Sequence, residues 1–128
     1  MDIREELKYQ IEYLRRESET TAVLVEGNRD RLALEYFRVK NVVTISKPLY
    51  EIVEEISSEY KKCILLLDLD KAGNKLYKRL KDDLQKYGVK IDSKFRSFLF
   101  KKTGLKEIEG LTSFFKHVAV RDYTKVKA

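Results

Sequence analysis

Apolar residues at Ile3, Leu7, Ile11 and Leu14, with charged residues between them, predict an amphipathic helix laid by one stripe on the body of the protein. Ser18 to Thr21 break that pattern, and Ala22 to Val25 form a short apolar strand ending at Glu26-Gly27. Asn28 is a suitable N-cap for a helix from about Arg29 to Val39, with Asp30 in the first turn where negative charge suits the macrodipole. Val42 to Ile45 is a second strand, and Pro48 opens a helix with Leu49, Ile52, Val53, Ile56 and Tyr60 on one face. The run Cys63 to Leu67 is too short to span a membrane and reads as a buried strand continuing to about Asp68 or Asp70. A lysine-rich helix then turns Leu76, Leu80, Leu84 and Tyr87 inward and stops at Gly88, before a fourth short strand at Val89 to Ile91.

Strands alternating with helices of this length predict βαβ units. The expected fold is α/β, a four-stranded, mostly parallel sheet flanked by helices, with an extra N-terminal helix. After Asp92 the period blurs. Phe95, Phe98, Leu99 and Phe100 need partial burial, Leu111 to Val118 suits a short helix, and Thr124 to Ala128 reads as a frayed tail. The organisation expected is one domain. Residues 1–20 are its N-terminal helix, 21–92 its core, and 93–128 a helical and irregular extension of the same unit.

Composition adds little to that picture, but charge adds more. A chain of 128 residues, 43% hydrophobic and 38% charged, suits one soluble domain around a single core. The opening Met1 to Glu6 carries no apolar leader and no run reaches spanning length, so a cytoplasmic protein without a membrane partner is expected. Cys63, the one cysteine, sits in the buried run as a small core residue, and His117, the one histidine, is given a structural or surface role. The net charge of +6 is uneven: Lys71 to Lys106 holds twelve basic and three acidic residues, leaving −3 for the remainder. Such a stretch either keeps a helix soluble or meets a polyphosphate, RNA or DNA.

It lies just downstream of the candidate chemistry. Glu26 ends one strand, and Asp68 and Asp70 end another, so all three can meet at one edge of a parallel sheet. If extended geometry runs through Asp70, the two aspartates share a face and repel each other unless a cation lies between them. That is a candidate divalent-metal site at the carboxyl ends of strands, where open α/β sheets bind ligands. Gly27 lets the backbone approach a ligand, and the amides near Asn28, Arg29 and Asp30 can hold a phosphate oxygen. Gly73 and its polar turn release the chain into the next helix, on which Lys71 and Lys75, one turn apart, serve as clamps for flanking phosphates.

Val25-Glu26-Gly27 with Asp30, followed by Asp68-x-Asp70-x-x-Gly73, resembles the Toprim family, a domain shared by topoisomerases, bacterial-type primases and certain nucleases. The resemblance covers Ala22 to Ile91. Ala72-Gly73 is most similar to the primase version of the second motif, and the segment from Lys101-Lys102 to Gly110 resembles the tract after the core in ribosomal-RNA maturation nucleases. The family implies a Rossmann-like Toprim fold binding Mg²⁺, with Mn²⁺ as a substitute. Asp68 and Asp70 would be ligands, Glu26 a ligand or the general acid/base at the scissile phosphate, and Gly27, Asp30 and Gly73 supporting residues.

Departures narrow the reading. Ala72 stands where type II topoisomerases carry a third aspartate, and the sequence shows no tyrosine-bearing second domain, zinc ribbon or polymerase core. What remains resembles the small stand-alone Toprim proteins. The leading expectation is a Mg²⁺-dependent nuclease acting on RNA or DNA. The alternative is a non-catalytic nucleic-acid-binding adaptor in a larger primase, repair or RNA-processing complex, where a protein partner supplies the rest of the active site. A haloacid-dehalogenase-type phosphatase would follow Asp-x-Asp with Gly-Thr on its first strand, and a dinucleotide fold would need Gly-x-Gly-x-x-Gly; neither pattern is present. A purely structural use, with one aspartate capping the following helix and the other solvated, stays open.

Overall fold

The computed structural model describes residues 2–118. Its elements run α1 (Ile3–Glu17), β1 (Ala22–Val25), α2 (Asn28–Tyr36), β2 (Val42–Thr44), α3 (Leu49–Glu59), β3 (Lys62–Leu65), α4 (Lys71–Lys86), β4 (Lys90–Asp92) and α5 (Lys94–Phe98). A π-helical turn at Leu99–Thr103, a 3₁₀ turn at Ile108–Gly110 and a helix over 111–118, here α6, complete it. The strands form one sheet in the order β2-β1-β3-β4, and every pairing is parallel. The inner strands β1 and β3 are neighbours, which brings their C-terminal exits side by side.

Alternation along those inner strands sorts the core into two layers. Val23, Val25, Ile64 and Leu66 face a cluster built from Leu7, Ile11 and Leu14 of α1, Leu34 of α2, and the C-terminal residues Phe95, Leu99, Ile108 and Leu111. Ala22, Leu24, Cys63, Leu65 and Leu67 face Ile52, Val53 and Ile56 of α3 and Leu80 and Leu84 of α4. Each fully buried aliphatic side chain contributes about 1.5–3 kcal/mol, so both layers are needed to hold so thin a sheet. The segment after Asp92 thus completes the first layer.

The N-terminal helix is capped by Asp2, whose Oδ1 accepts from the Glu5 N–H at 3.0 Å. A polar cluster also fastens it to the sheet. Tyr13 donates to Asp92 Oδ2 at 2.5 Å, and Lys62 Nζ pairs with Glu17 at 2.5 Å and Asp92 at 3.6 Å. Burial pushes the Asp92 carboxyl up. Hydrogen bonds from Tyr13 and the Lys94 N–H, with the Lys62 charge, outweigh burial and hold it below the usual range.

Several boundaries differ from those the periodicity predicts. Gly27, not Asn28, is the N-cap of α2, and that helix ends at Tyr36 because Arg38 turns into the left-handed region at φ 63°. Tyr60 is the extended C-cap of α3, one residue past the helix, and still packs against the same layer as Ile52, Val53 and Ile56. Tyr87 caps α4 and is 62% exposed, so it does not point inward; Gly88, at φ 81°, then reverses the chain. β3 stops at Leu65, with a final bond from the Leu66 N–H to Leu24 O at 2.8 Å, so Asp68 and Asp70 lie beyond the strand. Cys63 is buried and His117 exposed, while Thr124 to Ala128 lie outside the described residues. Among the described residues, no helix is long and apolar enough to cross a membrane.

Candidate functional site

Glu26 leaves β1 beside the exit of β3, and its Oε1 accepts the Asp68 N–H at 3.1 Å. Gly27 is extended at φ −149°, and its N–H donates to Asp30 Oδ2 at 3.0 Å, which leaves Asp30 only 7% exposed. A Cβ built on Gly27 would meet nothing within 4 Å, so neither backbone angle nor packing demands glycine there; its bare surface lines the cleft.

The chain bends at residues 69–70 instead of continuing extended, which overturns the expectation of two aspartates on one strand face. Each carboxylate has its own local task. Asp68 Oδ1 accepts the Ile108 N–H at 3.0 Å, and Asp70 Oδ1 accepts the Gly73 N–H at 2.6 Å as the N-cap of α4. Gly73 is needed for a close approach. A Cβ there would stand 2.2 Å from Asp68 O and 3.0 Å from Asp70 Oδ1.

Arg96 of α5 secures the same loop. Its Nε donates to Leu67 O at 2.8 Å, and its Nη2 to Asp68 O at 3.1 Å and Asn74 Oδ1 at 2.9 Å. The guanidinium lies over the rings of Tyr77 and Phe100, at 4.3 and 4.6 Å from their centroids. The planar fork suits two adjacent carbonyls in a way a lysine could not. Nothing in the sequence singles out Arg96, one arginine in a lysine-rich window. Glu107 and Glu109 lie in the segment that resembles the nuclease tract, but the sequence does not assign them to the site. With Asn28 and Arg29, they line the same open cleft of about 380 Å³ as Glu26, Asp30 and Asp68. Lys71 and Lys75 are exposed on α4 and do not line that cleft.

The cleft holds more negative charge than its surroundings neutralise. Burial foremost, then the charges of Asp68, Asp70 and Asp30, raise the Glu26 carboxyl against the hydrogen bond from the Asp68 N–H. Asp68 is raised by burial and by Asp70 and Glu109, with the Ile108 N–H and Arg96 opposing. Asp30 is raised by burial and by the charges of Asp68 and Glu109. Surplus charge on oxygen donors fits a hard divalent cation such as Mg²⁺. Among the described residues, no three acidic, histidine or cysteine side chains already form a ready cage. The donors therefore fit an ion held by one or two carboxylates and completed by water or phosphate oxygens, which is how Mg²⁺ is usually bound.

Those shifts carry a sign. An acid whose pKa is raised by folding binds its proton more tightly in the folded state. Its stabilising share is full at low pH and is lost as pH rises through the raised value. Metal-free Asp68→Asn should therefore melt above the wild type at neutral pH, because its amide oxygen can still accept the Ile108 N–H without the repulsion. The difference should vanish below about pH 4. Thermal melts in EDTA across pH check this; a variant less stable than wild type at neutral pH would make the Asp68 charge stabilising instead.

A family model described as Toprim-like matches residues 23–102. The chain is 33% identical over 115 residues to UPF0292 protein MJ1624 of Methanocaldococcus jannaschii, covering 86% of this chain and 90% of the relative. It is 38% identical over 104 residues to UPF0292 protein PYRAB04740 of Pyrococcus abyssi, covering 78% of each. A solved structure of an Aquifex aeolicus protein, 36% identical, is similar with a TM-score of 0.75 over 80% of this chain and 95% of that one.

Proposed function

Because the chain belongs to the Toprim-like family, and within it to the UPF0292 proteins, we propose that it is a Mg²⁺-dependent phosphodiester hydrolase acting on RNA or DNA. The observation that carries this reading is the joining of Glu26 to the Asp68 loop, 3.1 Å from side-chain oxygen to backbone nitrogen, in a cleft short of positive charge. Asp68 and Asp70 would hold the ion, with Glu26 sharing it or moving the proton. Bound Mg²⁺ would supply charge to polarise a phosphoryl oxygen and stabilise a leaving alkoxide. The raised Glu26 carboxyl suits the removal of a proton from an attacking water, since a base works best when its pKa approaches the ambient pH. Asn28 and Arg29, in the first turn of α2, would receive a phosphate oxygen, while Lys71 and Lys75 would meet flanking phosphates outside the cleft. Arg96 touches no reacting atom in this scheme and positions the carbonyls of the Asp68 loop.

One observation favours the second reading, a nucleic-acid-binding adaptor completed by a protein partner. The Asp70 carboxylate is already engaged in capping α4. Pure protein mixed with labelled structured RNA or single-stranded DNA, in Mg²⁺, Mn²⁺ or EDTA, separates the two. The hydrolase gives products with metal and none in EDTA. Binding with no product in any metal would overturn the hydrolase in favour of the adaptor.

A further inference from the structure

We infer that a groove between α1 and the α5–π-turn segment, away from the acidic cleft, binds single-stranded nucleic acid, with Tyr9 as the platform on which a base stacks. The groove, about 530 Å³, is lined by Glu6, Tyr9, Lys94, Phe98, Lys101 and Lys102 among others. Tyr9 is 60% exposed although it is a large aromatic, and Phe98, in the same lining, is buried. Three lysines against one glutamate make the groove complementary to a polyanion. Among the described residues, Lys101 and Lys102 pair with no carboxylate, and Lys94 Nζ lies 5.4 Å from the Tyr13 ring centroid.

The wall that carries two of these lysines has unusual geometry. Leu99–Thr103 is a π-helical turn, a conformation rare in proteins and concentrated at functional sites. Thr103 Oγ1 closes it by donating to Leu99 O at 2.6 Å, and Gly104, at φ 74°, redirects the chain. The same chain then reaches the Asp68 loop, where Lys106 O accepts the Leu69 N–H at 2.7 Å. One continuous segment therefore walls both the groove and the cleft. Cationic side chains that follow a backbone, beside an exposed ring on which any base can stack, suit a single strand. An acidic peptide would use the lysines but has no planar base for Tyr9.

This inference rests on the nucleic-acid reading of the chain but not on its chemistry, so binding is measured in EDTA. Fluorescence anisotropy with labelled oligo(U), oligo(dT) and a duplex, at several salt concentrations, compares the full chain with Tyr9→Ala and Lys101→Ala/Lys102→Ala. Tyr9→Ala should weaken single-strand binding about tenfold and leave the duplex unchanged. The lysine pair should lower the single-strand salt slope by about 1.4, from two lost contacts. Both variants should melt with the wild type. Unchanged affinity and slope would overturn the groove, as would polyglutamate displacing the oligonucleotide with equal potency and depending on the same side chains. A protein that never cleaves but shows these losses keeps the groove and loses the hydrolase. Normal cleavage with unaltered binding does the reverse.

Discussion

Glu26→Gln is expected to lower metal-dependent cleavage by about a hundredfold to ten-thousandfold, the usual share of a general acid/base, while affinity for nucleic acid in EDTA stays near that of the wild type. The substitution is close to isosteric, and the amide oxygen can still accept the Asp68 N–H now held at 3.1 Å by Glu26 Oε1. What disappears is one negative charge and the ability to take a proton. Burial foremost, and then the charges of Asp68, Asp70 and Asp30, raise the wild-type carboxyl, so neutralising it should not unfold the metal-free protein. Single-turnover rates at saturating Mg²⁺, alongside anisotropy titrations, separate chemistry from binding. Cleavage at the wild-type rate would remove Glu26 from the reaction. Loss of binding and folding together would make it structural.

Gly73→Ala should cost about 3 kcal/mol or more of stability, at or beyond the upper end of ordinary overpacking, and should also lower activity. A methyl group there meets Asp68 O at 2.2 Å, and that carbonyl is held in place by the hydrogen bond from Arg96 Nη2 at 3.1 Å. Alanine favours a helix over glycine by about 1 kcal/mol, too little to compensate. The strain falls on the carbonyl of the residue whose carboxylate would meet the metal, so affinity for Mn²⁺ should fall with the melting temperature. Calorimetry and thermal melts check both quantities. An alanine variant as stable as the wild type would show that α4 can shift without disturbing the loop.

The elements were legible wherever burial imposed a regular period. Val23, Val25, Ile64 and Leu66 alternate with Ala22, Leu24, Cys63 and Leu65 because the sheet is covered on both sides, and the apolar stripe of α1 is equally regular. Glu26 and Asp68 were legible as carboxylates at the ends of apolar runs, a position that parallel topology brings to one edge. The shared strand face expected for Asp68 and Asp70 fails because the strand ends at Leu65 and the chain bends at residues 69–70. An aspartate three residues before Gly73 is also N-cap spacing, the capping use that the sequence left open, and Asp70 Oδ1 does cap α4. Arg96, Glu107 and Glu109 could not be read. They follow Asp92, where a five-residue helix, a π turn and a 3₁₀ turn replace any sustained period. Tertiary contacts alone carry them to the cleft.

The Ile108 N–H that meets Asp68 Oδ1 is forty residues further along the chain. Closing a flexible loop of that length costs about 3 kcal/mol of entropy, from its logarithmic dependence on length. That cost is met only after the C-terminal segment has docked. During synthesis, Glu26 and Asp68 emerge well before Arg96 and Ile108, so a nascent chain carries its acidic residues without the clamps that set their geometry. The order of translation thus sets the order of assembly: the Asp68 loop takes its final shape only once the segment carrying Arg96 and Ile108 has been made and has settled onto the sheet.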